Sequence, residues 1–248
     1  MRVAAVQYKA RREDLDASVR GLVDLAEQAA KDVDLLVLPE MAVTGYTFPD
    51  RTSVVQAARQ ANGRTLAALQ QVAKQAGAWL VAGFPEIDGD RLFNSAWVLR
   101  PDGSCAFVYR KTLLYTEDLH WATPGDSGYR VFDTGNGTFI PAICMDLNDD
   151  HFIRWCAGQA VDCVALSTNW LDEDEEVWPY WAWRTEPTGA ALVAANTWGS
   201  EGDVRFRGHS AVIEGRVVRA GAPRTGDGWI SATLLGVSDA LPEPPVAL

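Results

Sequence analysis

Histidine is scarce in this 248-residue sequence: His120, His151 and His209 are all there is, and none stands near a cysteine in a ligand pattern. The four cysteines, Cys105, Cys144, Cys156 and Cys163, show no C-x-x-C spacing. Together these absences argue against a zinc site, and no metal is expected. No apolar run approaches the roughly eighteen residues of a membrane span. The opening M-R-V-A-A-V-Q-Y reads as a strand rather than a secretion signal, so a reducing cytoplasm is the expected location. Basic residues are in deficit, 22 Lys and Arg against 33 Asp and Glu, for a formal net charge of -11. That balance disfavours nucleic acid and anionic membranes as partners, and it does not oppose a cationic substrate.

What is present alternates between strand and helix patterns. Val3–Gln7 predicts a strand, and Leu15–Lys31 predicts a helix with Leu15, Val19, Leu22, Leu25, Ala26 and Ala29 on its apolar side. Val33–Leu38 and Ala78–Gly83 are continuous apolar runs, as expected of strands buried on both faces. A loop over Glu40–Arg51 and a helix over roughly Gly63–Gln75 are expected between them. The second half repeats this order. V-D-L-L-V-L-P at Val33–Pro39 matches V-D-C-V-A-L-S at Val161–Ser167, and G-A-W-L-V-A-G at Gly77–Gly83 matches G-A-A-L-V-A-A at Gly189–Ala195. N-S-A-W-V-L at Asn94–Leu99 matches H-S-A-V-I-E at His209–Glu214. Two similar halves, with sheets covered by helices, make an α/β sandwich the economical architecture. Residues 1–235 are read as one domain. Residues 236–248, with P-E-P-P, are read as a proline-rich tail lying extended on the surface or against a partner.

Three stretches place a reactive group directly after a buried strand. L-P-E delivers Glu40, Y-R-K delivers Lys111, and A-I-C-M-D delivers Cys144. Residues just beyond the carboxyl ends of strands line the ligand crevice of an α/β sheet. A carboxylate, an ammonium and a thiol gathered there make an acyl-transfer set. The carboxylate takes the thiol proton, the sulfur attacks a carbonyl, and the ammonium with a backbone N–H holds the oxyanion. A turn and helix following Cys144 are expected to favour thiolate over thiol through the helix dipole. Cys105, Cys156 and Cys163 sit inside apolar patterns and are read as structural.

These residues and their neighbours resemble the Glu-Lys-Cys signature of the nitrilase superfamily of carbon–nitrogen hydrolases. The resemblance runs from Val3 to about Gly215. It takes in L-P-E-M-A-V-T-G-Y at Leu38–Tyr46, Y-R-K-T at Tyr109–Thr112, Pro124–Gly125, A-I-C-M-D, N-T-W-G-S-E-G at Asn196–Gly202 and R-G-H-S-A-V at Arg207–Val212. It implies an α-β-β-α four-layer sandwich, a thioester acyl-enzyme, no cofactor, and a homodimer or larger homo-oligomer. C-M-D-L-N and L-Y-T-E-D-L-H-W-A resemble the branch of fungal protein N-terminal amidases. That points to a small amide or a peptide N-terminus bearing Asn or Gln as substrate. An N-carbamoyl hydrolase, a soluble acyltransferase using the same thioester, and a non-catalytic scaffold are the alternatives.

Members carry a second acid shortly after the lysine, and here Glu117 and Asp118 compete for that place. Glu117 is favoured because its longer side chain suits reach to the lysine, with Asp118 the alternative. The family's R-A-x-E-N appears as R-T-E-P at Arg184–Pro187, which puts that loop in question. Met145 is expected to supply an oxyanion N–H. Asn169 and Trp170 follow the second half's strand where Pro39–Glu40 follow the first, and with Tyr46 they are the expected substrate contacts. The acids Asp172–Glu176 read as a solvated helix start, or as an attractor for a substrate ammonium. G-H-S-A-V at Gly208–Val212 lacks the second glycine of a serine-hydrolase elbow and reads as a strand entering a sheet.

Overall fold

The computed structural model describes residues 1–173 and 176–235. Asp174, Glu175 and the proline-rich 236–248 stretch lie outside the described residues. The first half runs β1 (Arg2–Gln7), α1 (Leu15–Ala29), β2 (Leu35–Val37), α2 (Arg51–Ala76), β3 (Trp79–Asp88), β4 (Arg91–Leu99) and β5 (Cys105–Arg110). The second runs β6 (Phe132–Asp133), β7 (Thr138–Ile143), α3 (Asp150–Ala157), β8 (Cys163–Thr168), α4 (Val177–Thr185) and β9 (Ala191–Asn196). A small ribbon of β10 (Trp198–Glu201) and β11 (Val204–Arg207) follows, then β12 (Ala211–Glu214) and β13 (Val217–Gly221). β14 (Gly228–Thr233) returns to the first sheet and pairs antiparallel with β1.

The two sheets have strand orders β14-β1-β2-β3-β4-β5 and β6-β7-β8-β9-β12-β13. Strand for strand the pairing senses agree: antiparallel, parallel, parallel, antiparallel, antiparallel. The repeated sequences therefore occupy equivalent places, β2 with β8, β3 with β9, and β4 with β12.

Period-two alternation of apolar side chains builds the layers. Val3, Ala5, Leu35, Val37, Ala165, Val193 and Ala195 fill the space between the sheets. Their alternates Ala4, Val6, Leu36 and Leu38 pack under α1 and α2. Val164, Leu166, Leu192 and Ala194 pack under α3 and α4. The architecture is the α-β-β-α sandwich.

Helix α2 is twice as long as expected. Asp50 caps it by accepting from Ser53 N at 2.8 Å, and Val54, Ala58, Ala61, Thr65, Leu69 and Val72 form one buried stripe. Small residues at Ala58 and Ala61 give little apolar signal, so the helix expected from about Gly63 in fact begins at Arg51, where the expected loop ends. Among the described residues no helix is long and apolar enough to cross a membrane.

Candidate active site

Each reactive side chain stands where a strand ends and cannot be moved without moving the sheet. Beyond β2, Gly83 N donates to Pro39 O and Ala42 N to Gly83 O, lacing the Glu40 turn onto β3. A Cβ on Gly83 would lie 2.5 Å from Glu40 Cα, so only glycine lets the two backbones meet this closely. Lys111 follows β5, its N–H bonded to Asn94 O and its carbonyl accepting from Gly125 N at 2.8 Å. A Cβ on Gly125 would lie 2.1 Å from Arg110 O, which accounts physically for the glycine of Pro124–Gly125. Cys144 opens a 3-10 turn (Cys144–Asn148) after β7 with φ +43, a conformation that costs a non-glycine residue strain and recurs at functional sites.

The centre is a closed ring of four buried side chains. Lys111 Nζ donates to Glu40 Oε1 at 2.8 Å and to Asp118 Oδ2 at 2.6 Å. Asn94 Nδ2 donates to the same two acids, at 2.7 Å to Glu40 Oε1 and 3.1 Å to Asp118 Oδ1. Asn169 N holds the other oxygen of Glu40 at 2.8 Å. The acid that meets the lysine is thus Asp118, and the expectation for Glu117 is corrected. Glu117 lies just before the 3-10 turn Asp118–His120, and its buried Oε2 has no hydrogen-bond partner among the described residues. Reach was the wrong criterion: the turn brings the backbone of residue 118 close, Tyr115 N also donates to Asp118 at 3.0 Å, and the shorter chain fits.

Burial, the largest influence, pushes Glu40 above the usual carboxylate range; Lys111 opposes that rise and Asp118 adds to it. Burial also works against the Lys111 charge, but the carboxylates of Asp118 and Glu40 outweigh it and hold the ammonium well above its ordinary value. Cys144 behaves differently from the sequence expectation. Burial pushes its thiol up to about 12, with Glu40 adding to the rise and Lys111 resisting. Cys144 rests as a thiol, because desolvation outweighs any benefit from the turn that follows it.

A cavity of about 210 Å³ opens onto Cys144. Met145, Asn169, Trp170 and Tyr46 all line it, with Tyr115, Asn148, Tyr180, Glu173 and Glu176. The four expected substrate contacts therefore share one wall system with the cysteine. Tyr46 places its ring 5.8 Å from Lys111 Nζ, and its buried hydroxyl has no partner among the described residues. The other cysteines divide: Cys156 and Cys163 are buried as expected, whereas Cys105 is exposed on the edge strand β5. Arg184 of R-T-E-P donates to Leu147 O at 2.9 Å. Pro187 sits in a 3-10 turn continuing α4, so the altered loop still braces the turn beyond the cysteine.

Three supporting residues escaped the sequence reading. Asn94 is one. Asp146 is fully buried and accepts from Tyr109 Oη, Thr112 N, Leu113 N and Ile143 N, tying the end of β7 to the segment after Lys111. Glu201 accepts from Tyr46 N and Thr47 N and fixes the loop that carries Tyr46. The available signal was Asn94 at the head of a strand pattern and Asp146 and Glu201 within motif stretches; what each bonds follows only from burial, since a buried polar group must find partners.

The carbon–nitrogen hydrolase family model matches residues 2–236. A nitrilase of Pyrococcus abyssi is 34% identical over 219 residues, covering 86% of this chain and 80% of its own. A protein N-terminal amidase of Schizosaccharomyces pombe is 28% identical over 258 residues, covering 86% and 90%. Among solved structures, a variant of the amidase from Nesterenkonia sp. AN1 carries the product of Michael addition of acrylamide at its active-site cysteine. It superposes with a TM-score of 0.84 over 95% of this chain and 93% of its own, at 23% identity.

Proposed function

The chain belongs to the carbon–nitrogen hydrolase family, and we propose that it is a cysteine-dependent amidase converting a primary carboxamide to an acid and ammonia through a thioester. Glu40, as carboxylate, takes the Cys144 proton while the sulfur attacks the carbonyl carbon. Lys111 and the N–H of Met145 stabilise the oxyanion. The tetrahedral intermediate collapses as Glu40 returns the proton to nitrogen, breaking the C–N bond and releasing ammonia. Water, deprotonated by Glu40, then attacks the thioester; the acid leaves and the thiol is restored. Asp118 and Asn94 hold Lys111 and Glu40 in place.

The observation that carries this reading is the buried Glu40–Lys111–Asp118–Asn94 ring beside a cavity-lining cysteine. A buried ion pair is weak evidence for stability, because well-packed apolar residues of the same volume do as well or better. Two acids and one amine next to a thiol are better accounted for by chemistry. The cavity is small, which suits a short amide or the side chain of an N-terminal Asn or Gln with the rest of the peptide outside. The N-terminal amidase named above supports the second possibility. Cytoplasmic location and assembly as a homodimer belong to the same proposal, and sedimentation velocity on the purified protein tests the latter.

The decisive experiment pairs ammonia release from a panel of primary amides with intact mass spectrometry of the wild type and Cys144→Ala. Ammonia release, a trapped acyl mass on the wild type, and loss of both in the variant are expected. Ammonia release that survives in Cys144→Ala would sink the mechanism.

A further inference from the structure

The cavity wall has a marked polarity. Its charged lining residues are Glu173 and Glu176, and no lysine or arginine lines it among the described residues. The nearby cations are already paired with carboxylates, one of them with the cavity's own Glu176. Arg207 Nη1 bonds Asp172 at 3.1 Å and the Glu173 carbonyl, and Arg207 Nη2 pairs with Glu176 at 3.3 Å. Arg224 sits on Asp172. Lys111 is spanned by two carboxylates. Glu173 forms no ion pair among the described residues.

A carboxylate at a cavity mouth is ordinary by itself, but two further features point to a donor-rich ligand. Asn169 is 4% exposed and Tyr46 3% exposed; both line the cavity, and among the described residues neither Asn169 Oδ1, an acceptor, nor Tyr46 Oη, which can accept as well as donate, has a hydrogen-bond partner. A buried acceptor left unpaired costs free energy unless a ligand N–H or water meets it. The rest of the mouth is aromatic. Trp170 and Tyr180 pack with ring centroids 5.7 Å apart, and Tyr115 lines the same cavity. Tyr115 also feels the mouth's charge: burial first, then Glu117 and Glu173, raise its hydroxyl above the ordinary value. Acceptors, an unpaired carboxylate and ring faces are what an ammonium or guanidinium prefers.

We infer that the substrate is a primary amide carrying a positive charge a few bonds from the scissile carbonyl, bound at the mouth by Glu173 and the faces of Trp170, Tyr180 and Tyr115. The inference rests on the amidase reading and narrows it. Amides with a carboxylate at that distance, including N-carbamoyl amino acids, meet no counter-charge and approach a centre holding two acids to one amine. They are disfavoured at the mouth.

Three amides of one length test this: γ-aminobutyramide, valeramide and glutaramate, which end in an ammonium, a methyl and a carboxylate. The expected order of kcat/KM is cationic, then neutral, then anionic. In Glu173→Gln the ratio of cationic to neutral falls by about three- to tenfold, the range of a partly exposed charge contact, and added salt lowers it in the wild type. Glu27→Gln, on the exposed face of α1, is the control for the ratio. Equal rates for the three amides, or glutaramate as the fastest, overturns the inference and leaves the amidase reading standing.

Should none of the three release ammonia, the mouth is read independently of turnover by alkylation of Cys144 located by peptide mass spectrometry. The rate with iodoacetate relative to iodoacetamide, normalised to glutathione, falls below one and recovers in Glu173→Gln. A ratio of one or more overturns the inference.

Discussion

Asp118 and Glu117 are neighbours in sequence with opposite environments, which makes them a sharp test of the site. Asp118 is fully buried, bonded to Lys111, Asn94 and Tyr115 N; among the described residues the Glu117 side chain makes no hydrogen bond to any of them. Asp118→Asn removes the charge that helps hold the ammonium and is expected to lower kcat/KM by about a hundredfold or more, the scale of losing one electrostatic stabiliser. Glu117→Gln is expected to cost less than about threefold with neutral amides, as for a group outside such a network. Steady-state kinetics on the two variants decides it, and reversed magnitudes would restore Glu117. The pH profile follows from Glu40 and Cys144. Glu40 must be ionised to accept a proton, and burial raises its pKa, so kcat/KM falls as pH drops through a value above that of an exposed glutamate. Above that limb the profile is expected to be flat through the mildly alkaline range. Free thiolate is not the reactant when the thiol titrates at about 12. A rate rising tenfold per pH unit would show that Glu40 is not the base.

At the scale of elements, α2 and the turn after β7 show two kinds of support. Gly63 lies within α2, and a Cβ built there meets nothing within 4 Å. Gly63→Ala is therefore expected to stabilise by about 0.5–1 kcal/mol, through the lost freedom of the unfolded chain. Calorimetry should show Tm up by about 1–4 °C for a chain of this size, with kinetics unchanged. The turn is the opposite case. Asp146 satisfies backbone donors on both sides of the site, so its loss leaves several buried N–H groups unpaired. The half of α2 before Gly63 was hidden because its buried stripe is only Val54, Ala58 and Ala61, and alanines give weak periodicity. Asp146 was visible as part of A-I-C-M-D, but three of its partners, Tyr109, Thr112 and Leu113, lie more than thirty positions away, beyond the reach of any local pattern.

For the whole molecule, the site straddles the two sheets. Glu40 and Lys111 follow strands of one, and Cys144 and Asn169 follow strands of the other. Ser167 Oγ bonds Leu38 O at 2.7 Å across that boundary. The spacing between sheets is set by small residues such as Ala5, Ala96, Ala165 and Ala195. Ala165→Leu is expected to overpack this layer, costing about 1–3 kcal/mol, and to reduce kcat as well, because the two halves of the site would separate. Thermal unfolding and single-turnover kinetics on that variant check both. Stability lost with kcat retained would mean that the site does not depend on the spacing.

The sequence by itself determined the layered α/β fold, the equivalence of the two halves, and the three strand ends bearing Glu40, Lys111 and Cys144. These are recorded in local periodicity and in short contiguous motifs, where burial of alternate side chains dictates strand and face. Only the tertiary structure decided that Asp118 closes the ring, that Asn94 bridges the two acids, that Cys144 rests as a thiol, and that the cavity mouth presents acceptors with no lysine or arginine lining it among the described residues. Each of these depends on distances between residues remote in the chain and on desolvation. Both arise only when the sheets pack.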